Sequence, residues 1–214
     1  MPDSPIHMYQ HIVKRLLDLL GAFLALLLGA IPMLIVGLIT KLDSPGPILF
    51  RQTRLGRRKK PFTMLKFRSM PTSIPKDTPT HLLIEAVPLT SWQRFMRRSS
   101  IDELPQLLNI LAGHMSLIGP RPALPNQDDL IAARDSNGSN NVKPGLTGLS
   151  QINGRDELNT AEKARLDGIY ANALKQGRFR GFAMDVRCFF ATFPVVLRGS
   201  GVREGGTATD GHQE

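Results

Sequence analysis

The sequence has only one cysteine among its 214 residues, Cys188. A single thiol excludes an intramolecular disulfide and gives no basis for a cysteine-rich zinc site or an oxidising compartment. A reducing, cytosol-facing environment fits this composition best. The chain is long enough to bury a core of its own, and its length favours one domain over two.

Acidic and aromatic residues are also scarce. The chain has 18 Asp and Glu against 27 Lys and Arg, a formal net charge of +9, and aromatic residues make up 6% of it. The excess of basic charge predicts an anionic partner, which can be nucleic acid, a membrane surface or a phosphorylated substrate. The low aromatic content disfavours nucleic acid. No G-x-G-x-x-G or Walker pattern is present, so a Rossmann or P-loop site is not indicated.

One stretch lacks charge altogether. The 22 residues from Leu19 to Thr40 carry no charged side chain, and such a run is long enough to reach the far side of a bilayer. A cleaved signal peptide is disfavoured, because its apolar region is usually about 7–15 residues long. Pro32 lies in the middle and is expected to kink a helix near Ile31, because proline removes a hydrogen bond and clashes with the preceding turn.

The flanks of this stretch are basic on both sides. Lys14 and Arg15 precede it, and Lys41, Arg51, Arg54, Arg57 and Arg58 follow it. Because Lys and Arg favour the cytoplasmic face of a membrane, both ends are expected on that side. We therefore predict a re-entrant membrane helix over residues 14–41 that turns at Ile31-Pro32 and returns. A straight single-pass anchor with a tolerated proline is the alternative.

The stretch between Asp43 and Asp77 contains no acidic residue. Its apolar segments 48–55 and 62–69, joined by a basic turn at 56–61, predict a β-hairpin. Polar and charged residues of this region are predicted to contact lipid headgroups or to act structurally. They are Lys41, Asp43, Arg51, Gln52, Arg54, Lys66 and Arg68. A solvated charged loop is the alternative for the turn itself.

Two adjacent carboxylates, Asp102 and Glu103, interrupt these cationic surroundings. Ser100 and Glu103 match the S-x-x-E capping box, so a helix N-terminus is the simplest interpretation of the pattern. Pro105, however, suits the first position of a helix, which would leave both acids just before the helix and exposed at its positive end. A carboxylate in that place would stay ionised at neutral pH.

Several segments around the acidic pair could bind phosphate. An ionised Asp102 beside Arg97 and Arg98 is suited to attack an electrophilic phosphorus, or to hold a Mg²⁺ ion that shields a diphosphate. Arg121 stands between two prolines, which fix the backbone around this cation. The glycine- and amide-rich segment 143–155 could bring backbone N–H groups close to an anion or a base.

Two further segments predict amphipathic helices. One begins at about Ser91, with Trp92 and Phe95 on one side and arginines on the other, and it can lie at a membrane interface. The other, 182–197, has phenylalanines at helical spacing and fits a core helix as well as a membrane-surface helix. The polar tail 199–214 is predicted to be disordered.

A set of short motifs occurs along the chain in a characteristic order. They are KRLLD at 14–18, DSPGP at 43–47, FRQTRLG at 50–56, KFRSM at 66–70, DELPQ at 102–106, GPRP at 119–122 and PGLTG at 144–148. In this combination, over residues 14–198, the chain resembles the bacterial sugar transferases, also called monotopic polyprenyl-phosphate phosphoglycosyl transferases. It resembles their minimal catalytic form, without the multi-span amino-terminal region of the long members. It departs from them before Arg97, where Thr90 is followed by Gln93 and the family commonly shows Thr-x-x-Gly.

The resemblance implies a two-step transfer. Asp102 would attack the β-phosphorus of a UDP-sugar, expel UMP and carry the sugar phosphate covalently, until polyprenyl (undecaprenyl) phosphate attacks it. Mg²⁺ would be held at Asp102 and Glu103, and Glu103 would help to position the metal or the acceptor. The implied phosphate-binding cations are Arg97, Arg98 and Arg121. The implied nucleotide-sugar contacts are Pro144, Gly145, Thr147, Gly148, Gln151, Asn153 and Arg155.

The expected architecture is mainly α with a short β-hairpin. It comprises an N-terminal flank (1–13), the re-entrant membrane helix (14–41), a compact cytosolic α/β catalytic domain with interfacial amphipathic helices (42–198) and the tail. The resemblance places the chain in the bacterial inner membrane, with its catalytic domain on the cytoplasmic face, at the start of surface glycan or exopolysaccharide synthesis. Nucleic acid is not an expected partner, and a homodimer is left open. The alternative function is a non-catalytic, membrane-anchored basic protein that binds anionic lipid or nucleic acid.

Overall fold

The computed structural model describes residues 12–74 and 89–199. Helices predominate in these residues, and the strands form two small two-stranded sheets. This agrees with the predicted mainly helical architecture. The predicted flank 1–13 lies almost wholly outside the described residues, and so does the predicted tail from residue 200 on.

The uncharged stretch forms most of one helix, α1 (Lys14–Asp43). Its 30 residues correspond to a length of about 45 Å. Within the described residues it is the single helix long and apolar enough to cross a membrane. Its central side chains face away from the protein, and Leu28 is 79% exposed. Pro32 lies inside α1, and the helix continues through the predicted turn at Ile31-Pro32.

Both ends of α1 are attached to the rest of the protein. Near its start, Asp18 Oδ1 accepts a hydrogen bond of 2.9 Å from Ser116 Oγ. Near its end, Thr40 Oγ1 accepts one of 3.1 Å from Trp92 Nε1. The buried positions of α1 recur every three or four residues except across its exposed centre, so one face of the helix carries both attachments.

The predicted β-hairpin is present. Strands β1 (Leu49–Leu55) and β2 (Pro61–Phe67) pair antiparallel, with Leu49 opposite Phe67. The basic turn between them contains a short 3₁₀ segment, Arg57–Lys59. Strand β2 begins one residue earlier and ends two residues earlier than the predicted segment 62–69.

Two short helices follow, α2 (Ser91–Ser99) and α3 (Gln106–Leu111), and α2 is the helix predicted from about Ser91. The side chain of Asn109 on α3 pairs with the free edge of β2 as a third strand would. Its Nδ2 donates to the carbonyl of Thr63 at 2.8 Å, and its Oδ1 accepts from the N–H of Leu65 at 3.0 Å. These two bonds fix the hairpin against α3.

The remainder of the described chain alternates short strands with helices. Its elements are β3 (Ser116–Ile118), α4 (Asp128–Asn137), β4 (Gly145–Thr147), α5 (Leu149–Ile152), α6 (Thr160–Lys175) and α7 (Arg178–Arg198). Strands β3 and β4 pair in parallel, which the sequence analysis did not predict because three-residue strands are too short to show a period. A Cβ atom at Gly145 would lie 2.1 Å from the backbone nitrogen of Gly119, so only glycine fits there.

Helix α7 joins the core to the start of α1. Lys14 Nζ donates to Asp185 Oδ2 at 2.9 Å, and the Tyr170 hydroxyl donates to Asp185 Oδ1 at 2.7 Å. Cys188 is fully buried, whereas Phe190 is 65% exposed. The helix predicted at 182–197 therefore has one core face and one apolar exposed face.

Candidate active site

The acidic pair lies in a 3₁₀ turn, Ile101–Glu103, between α2 and α3. Ser100, with φ 57°, ends α2 in the left-handed region and redirects the chain into this turn. Helix α3 begins directly after Pro105, so both acids precede the helix as predicted. The predicted exposure is wrong, because α2 and the hairpin enclose the turn and leave Asp102 6% and Glu103 7% exposed.

The alternative interpretation of the pair as a capping box is also wrong. Ser100 forms no cap hydrogen bond, and its Oγ instead accepts one of 3.0 Å from Arg155 Nη1. The Glu103 carboxylate is engaged by basic side chains and does not reach back to the backbone of Ser100. Both residues of the motif therefore have side-chain partners elsewhere in the fold.

One of the two carboxylate oxygens of Asp102 forms a hydrogen bond with a described residue. Ser69, just beyond β2, donates its hydroxyl to Asp102 Oδ2 at 2.8 Å. In the described parts of the chain, Asp102 Oδ1 accepts no hydrogen bond. Burial raises the pKa of Asp102 above its usual value, although the positive charges of Lys66 and Arg97 act against this shift. The sequence predicted an exposed, fully ionised carboxylate, whereas Asp102 is buried and ionises less readily.

Glu103 has the opposite electrostatic environment. Its Oε1 accepts hydrogen bonds from Lys66 Nζ at 2.9 Å and Arg121 Nη2 at 3.0 Å, and Arg155 Nη2 lies 4.0 Å from Oε2. Burial opposes ionisation, but Arg121, Lys66 and Arg155 together hold the pKa of Glu103 well below its usual value. These contacts favour the ionised form of Glu103, which lies close to three basic side chains.

The two carboxylates face different cavities. A cavity of about 730 Å³ is lined by Asp102 together with Ser69, Arg97 and Lys66. A smaller cavity of about 270 Å³ is lined by Glu103 and mainly by apolar side chains. We call them the Asp102 cavity and the Glu103 cavity.

All five basic residues predicted to contact lipid headgroups or to act structurally line the Asp102 cavity. The Lys66 side chain is largely but not fully buried, and this burial lowers the pKa of its ammonium group. Arg54 donates two hydrogen bonds to Gln52 Oε1, at 2.9 and 2.7 Å, and one of 3.1 Å to the carbonyl of Pro122, which ties the hairpin to the GPRP motif. The other members of the predicted set on this wall are Lys41, Arg51 and Arg68.

Arg68 bonds the backbone at the end of α1. It is 3% exposed, and its guanidinium donates to the carbonyls of Thr40 at 3.1 Å, Ser44 at 2.7 Å and Pro47 at 2.8 Å. These bonds satisfy the carboxyl end of α1 and the turn that follows it. Nearby, Asp43 Oδ2 accepts a hydrogen bond of 2.9 Å from Thr90 Oγ1.

The structure brings Arg97 and Arg121 to the acidic pair but not Arg98. Arg97 lines the Asp102 cavity, and Arg121 contacts Glu103. Arg98 is exposed and lines neither cavity. A Cβ atom at Gly199 would lie 2.6 Å from Arg98 Cγ, so Arg98 packs beside the end of α7.

The residues predicted to contact the nucleotide sugar lie in different places: some form the β3–β4 sheet, some line the Glu103 cavity, and one is exposed. The backbones of Pro144, Gly145, Thr147 and Gly148 are used in or beside the β3–β4 sheet, and the Gly145 N–H donates to the carbonyl of Pro120 at 2.9 Å. That N–H is therefore taken and does not form an anion cradle. The side chains of Thr147, Gln151 and Arg155 line the Glu103 cavity, whereas Asn153 is exposed and donates to the carbonyl of Leu149.

Asp102 fits a divalent cation better than Glu103 does. Mg²⁺ is commonly bound by one or two carboxylates together with substrate phosphates and waters. Asp102 lines the larger cavity, and its Oδ1 accepts no hydrogen bond from the described residues. Glu103 faces the other cavity, and its oxygens are engaged by cations. Within the described residues, no group of three or more His, Cys, Asp or Glu side chains forms a protein-only metal site.

Two polar residues of the site region were not identified from the sequence. Ser69 contacts Asp102, and its only signal was its place in the KFRSM motif. Gln93 completes a capping box at the start of α2, because the N–H of Gln93 donates to Thr90 Oγ1 at 3.1 Å and the N–H of Thr90 donates to Gln93 Oε1 at 3.2 Å. The departure from the family pattern at Gln93 is therefore a local helix cap.

Comparisons with known proteins give one consistent result. The family described as bacterial sugar transferase matches residues 9–199. The uncharacterized sugar transferase EpsL of Bacillus subtilis is 37% identical over 193 residues, covering 90% of this chain and 91% of EpsL. The exopolysaccharide production protein PSS of Rhizobium leguminosarum is 37% identical over 200 residues, covering 89% of this chain and 98% of PSS.

Longer relatives match through one part of their length. The UDP-glucose:undecaprenyl-phosphate glucose-1-phosphate transferase of Escherichia coli is 40% identical over 164 residues, which cover 75% of this chain and 35% of that protein. The alternative of a non-catalytic basic protein is set aside, because the match spans nearly the whole chain, including the acidic pair. The chain belongs to the bacterial sugar transferase family, and it is a transferase.

Proposed function

We propose that this protein transfers a sugar 1-phosphate from a UDP-sugar to polyprenyl phosphate and releases UMP, as a first step of exopolysaccharide synthesis. The observation that carries the proposal is Asp102, a buried carboxylate on the wall of a basic cavity, with Oδ2 bonded to Ser69 and Oδ1 accepting no hydrogen bond from the described residues. The names of the E. coli and Rhizobium relatives support the class of reaction and of product.

The first step is attack by Asp102 Oδ1 on the β-phosphorus of the donor. A bond forms between this oxygen and phosphorus, and the bond from phosphorus to the bridging oxygen breaks, so UMP leaves with that oxygen and its electron pair. The sugar phosphate remains on Asp102 as an acyl phosphate. The hydrogen bond from Ser69 to Oδ2 orients the carboxylate for this attack.

The second step regenerates the carboxylate. An oxygen of polyprenyl phosphate attacks the same phosphorus, the bond from Asp102 to phosphorus breaks, and polyprenyl diphosphate sugar leaves. In both steps negative charge lies on the oxygens around the phosphorus that is attacked. Arg97 and Lys66 line the Asp102 cavity and are the cations placed to offset this charge.

A divalent cation bound through Asp102 and the substrate phosphates would supply further charge neutralisation. We do not assign Glu103 as its ligand. Glu103 acts instead by holding Lys66, Arg121 and Arg155 in fixed positions around the acidic pair.

The membrane arrangement we propose is a re-entrant α1 in the bacterial inner membrane. The Asp18–Ser116 and Thr40–Trp92 bonds attach both ends of α1 to the same globular part, which supports placing both ends on one side of the bilayer. The exposed centre of α1 around Leu28 would enter the hydrocarbon region. The basic flanks favour the cytoplasmic face for the catalytic part.

The test is a panel of UDP-sugars incubated with purified protein, undecaprenyl phosphate and Mg²⁺. We expect at least one donor to give both UMP and labelled lipid. The isosteric variant Asp102→Asn should abolish both products, whereas Asp135→Asn, which changes an exposed acid on α4, should retain them. Normal UMP release by Asp102→Asn would contradict the covalent mechanism, and failure of every donor with the unmodified protein would contradict the proposed reaction.

A further inference from the structure

The proposed mechanism assigns no occupant to the Glu103 cavity, although three of the predicted nucleotide-sugar contacts, Thr147, Gln151 and Arg155, line it. It lies between the carboxyl-terminal half of α7 and the turn that carries the acidic pair, and buried Ile118 contributes to its wall. Phe189 and Phe193 of α7 also line it, and both are about half-exposed, at 45% and 53%. The cavity is therefore bordered by side chains that also reach the outer surface.

The polar groups on its wall are nearly all bonded within the protein. Glu103 is engaged by Lys66 and Arg121, so it attracts no further cation into the cavity. The hydroxyls and the guanidinium on this wall also have partners, in the pairs Ser99 with Phe95, Thr147 with Thr192, Thr192 with Cys188, and Arg155 with Ser100. With these bonds made, the wall is effectively apolar.

Gln151 is the exception. It lines the cavity, is 4% exposed, and its Oε1 accepts a hydrogen bond of 3.0 Å from Ser150 Oγ. Its Nε2 is buried and has no hydrogen-bond partner within residues 12–74 and 89–199. A buried amide donor without a partner costs stability, so this group is suited to an acceptor atom supplied by a ligand.

The apolar wall and the single unpartnered amide fit a ligand that is an apolar chain with a hydrogen-bond acceptor oxygen near one end. A nucleoside diphosphate would place a base, a ribose and two phosphates against this apolar wall, and its one guanidinium, Arg155, bonds Ser100 and lies 4.0 Å from Glu103 Oε2. The outer surface beside the cavity continues along α7 through Phe190 and Leu197, which are 65% and 86% exposed. An apolar surface of this kind suits contact with lipid, so a chain from the bilayer can pass directly into the cavity.

We propose that the Glu103 cavity binds the phosphate-proximal isoprene units of the prenyl phosphate acceptor, and that Gln151 Nε2 donates a hydrogen bond to an oxygen of its phosphate ester. This assignment rests on the proposed function. Asp102 and Glu103 are adjacent, with Cα atoms about 3.8 Å apart. We place the phosphate head of this chain at the end of the Glu103 cavity nearest Asp102, the carboxylate that would carry the sugar phosphate.

The first test separates the two half-reactions. UMP release from the UDP-sugar without acceptor reports the donor step, and transfer to farnesyl phosphate in detergent reports the acceptor step. Val196→Trp places a large ring in the cavity, and Gln151→Leu removes the free amide. We expect the KM for farnesyl phosphate to rise about tenfold or more in each, a change of about 1.4 kcal/mol per tenfold, with the UMP burst retained.

The matched control is Ile169→Trp, which adds the same ring at an exposed position of α6 outside the cavity. It should leave both half-reactions unchanged. An equal loss of the UMP burst and of transfer in Gln151→Leu would assign the cavity to the nucleotide and overturn the proposal. An unchanged KM for farnesyl phosphate in Gln151→Leu would overturn it as well.

The second test needs no turnover and so stands apart from the proposed function. A farnesyl phosphate that bears a photoreactive group on its terminal isoprene should label the α7 peptide of the unmodified protein, at or near Phe189, Phe193 and Val196. Labelling confined to residues 48–50, which line the Asp102 cavity, would contradict the assignment. Absence of UMP release with every donor would instead contradict the proposed reaction, whichever peptide is labelled.

Discussion

Ser69 donates its hydroxyl to Oδ2 of Asp102 at 2.8 Å, across a sequence separation of 33 residues. This bond links the end of the hairpin to the acidic pair, and Oδ1 accepts no hydrogen bond from the described residues. The bond orients the Asp102 carboxylate, the nucleophile that we propose, before the substrate binds.

Replacing Ser69 should therefore slow the donor step. We expect Ser69→Ala to lower the single-turnover rate of UMP release by about 10- to 100-fold, because the carboxylate loses its orientation. Ser69→Thr keeps the hydroxyl and should restore most of the rate, and the KM for the donor should change little in both. An Ala variant as fast as the unmodified protein would show that the bond has no role in positioning.

The charges around Glu103 predict a stability effect. Glu103→Gln leaves Lys66 buried without its carboxylate and should lower the free energy of unfolding by about 3–5 kcal/mol. Lys66→Met combined with Glu103→Gln should recover part of this loss, because neither buried charge then remains unpaired. Denaturant unfolding of the two single variants and the double variant measures the coupling. Simple additivity would contradict the direct pairing.

Arg68 is expected to matter for folding rather than for chemistry. Arg68→Ala removes the donors that satisfy the carbonyls of Thr40, Ser44 and Pro47, and the free energy of unfolding should fall by roughly 3 kcal/mol. Arg51→Ala is the control, since it removes an exposed arginine from the same hairpin. Equal melting temperatures for the two variants would count against this role.

Burial raises the pKa of the Cys188 thiol to about 11, and Cys188 is the only cysteine in the chain. Because the thiolate is the reactive form, alkylation at pH 8 should be very slow in the folded protein and fast after unfolding in denaturant. The rate should rise with pH as the thiol ionises. Rapid labelling of the native protein at pH 8 would show that α7 opens readily.

The arrangement of α1 can be tested by labelling from each side of the membrane. In a Cys188→Ser background, Ile12→Cys and Leu42→Cys place thiols at exposed positions near the two ends of the helix. Both should react with an impermeant maleimide in inside-out vesicles and neither in intact spheroplasts. Labelling of either position from the periplasmic side would contradict the re-entrant arrangement.

The sequence predicted those helices and strands that depend on residues close together along the chain. The long uncharged run gives α1, and the apolar segments around a basic turn give the hairpin. The motif order also identified the family and the acidic pair. The burial of Asp102 and Glu103 could not be read from these patterns, because the residues that enclose them lie in the distant hairpin and in α2.

The roles of individual polar residues were the least predictable part. Lys66 has the sequence signal of a membrane-facing cation, yet strand β2 places it on Glu103, and Ser69 contacts Asp102 from far along the chain. Gly145 has the signal of a phosphate loop, but its close approach to Gly119 serves strand pairing. Each assignment depends on contacts between segments that are remote in sequence.

The most direct test of the central claim is the intact mass of the protein after incubation with a donor UDP-sugar and Mg²⁺ in the absence of acceptor. The covalent mechanism predicts a mass increase equal to one sugar phosphate, located on the peptide that contains Asp102, lost on adding polyprenyl phosphate and absent in Asp102→Asn. Release of UMP with no added mass on the protein, or an adduct on another residue, would contradict it.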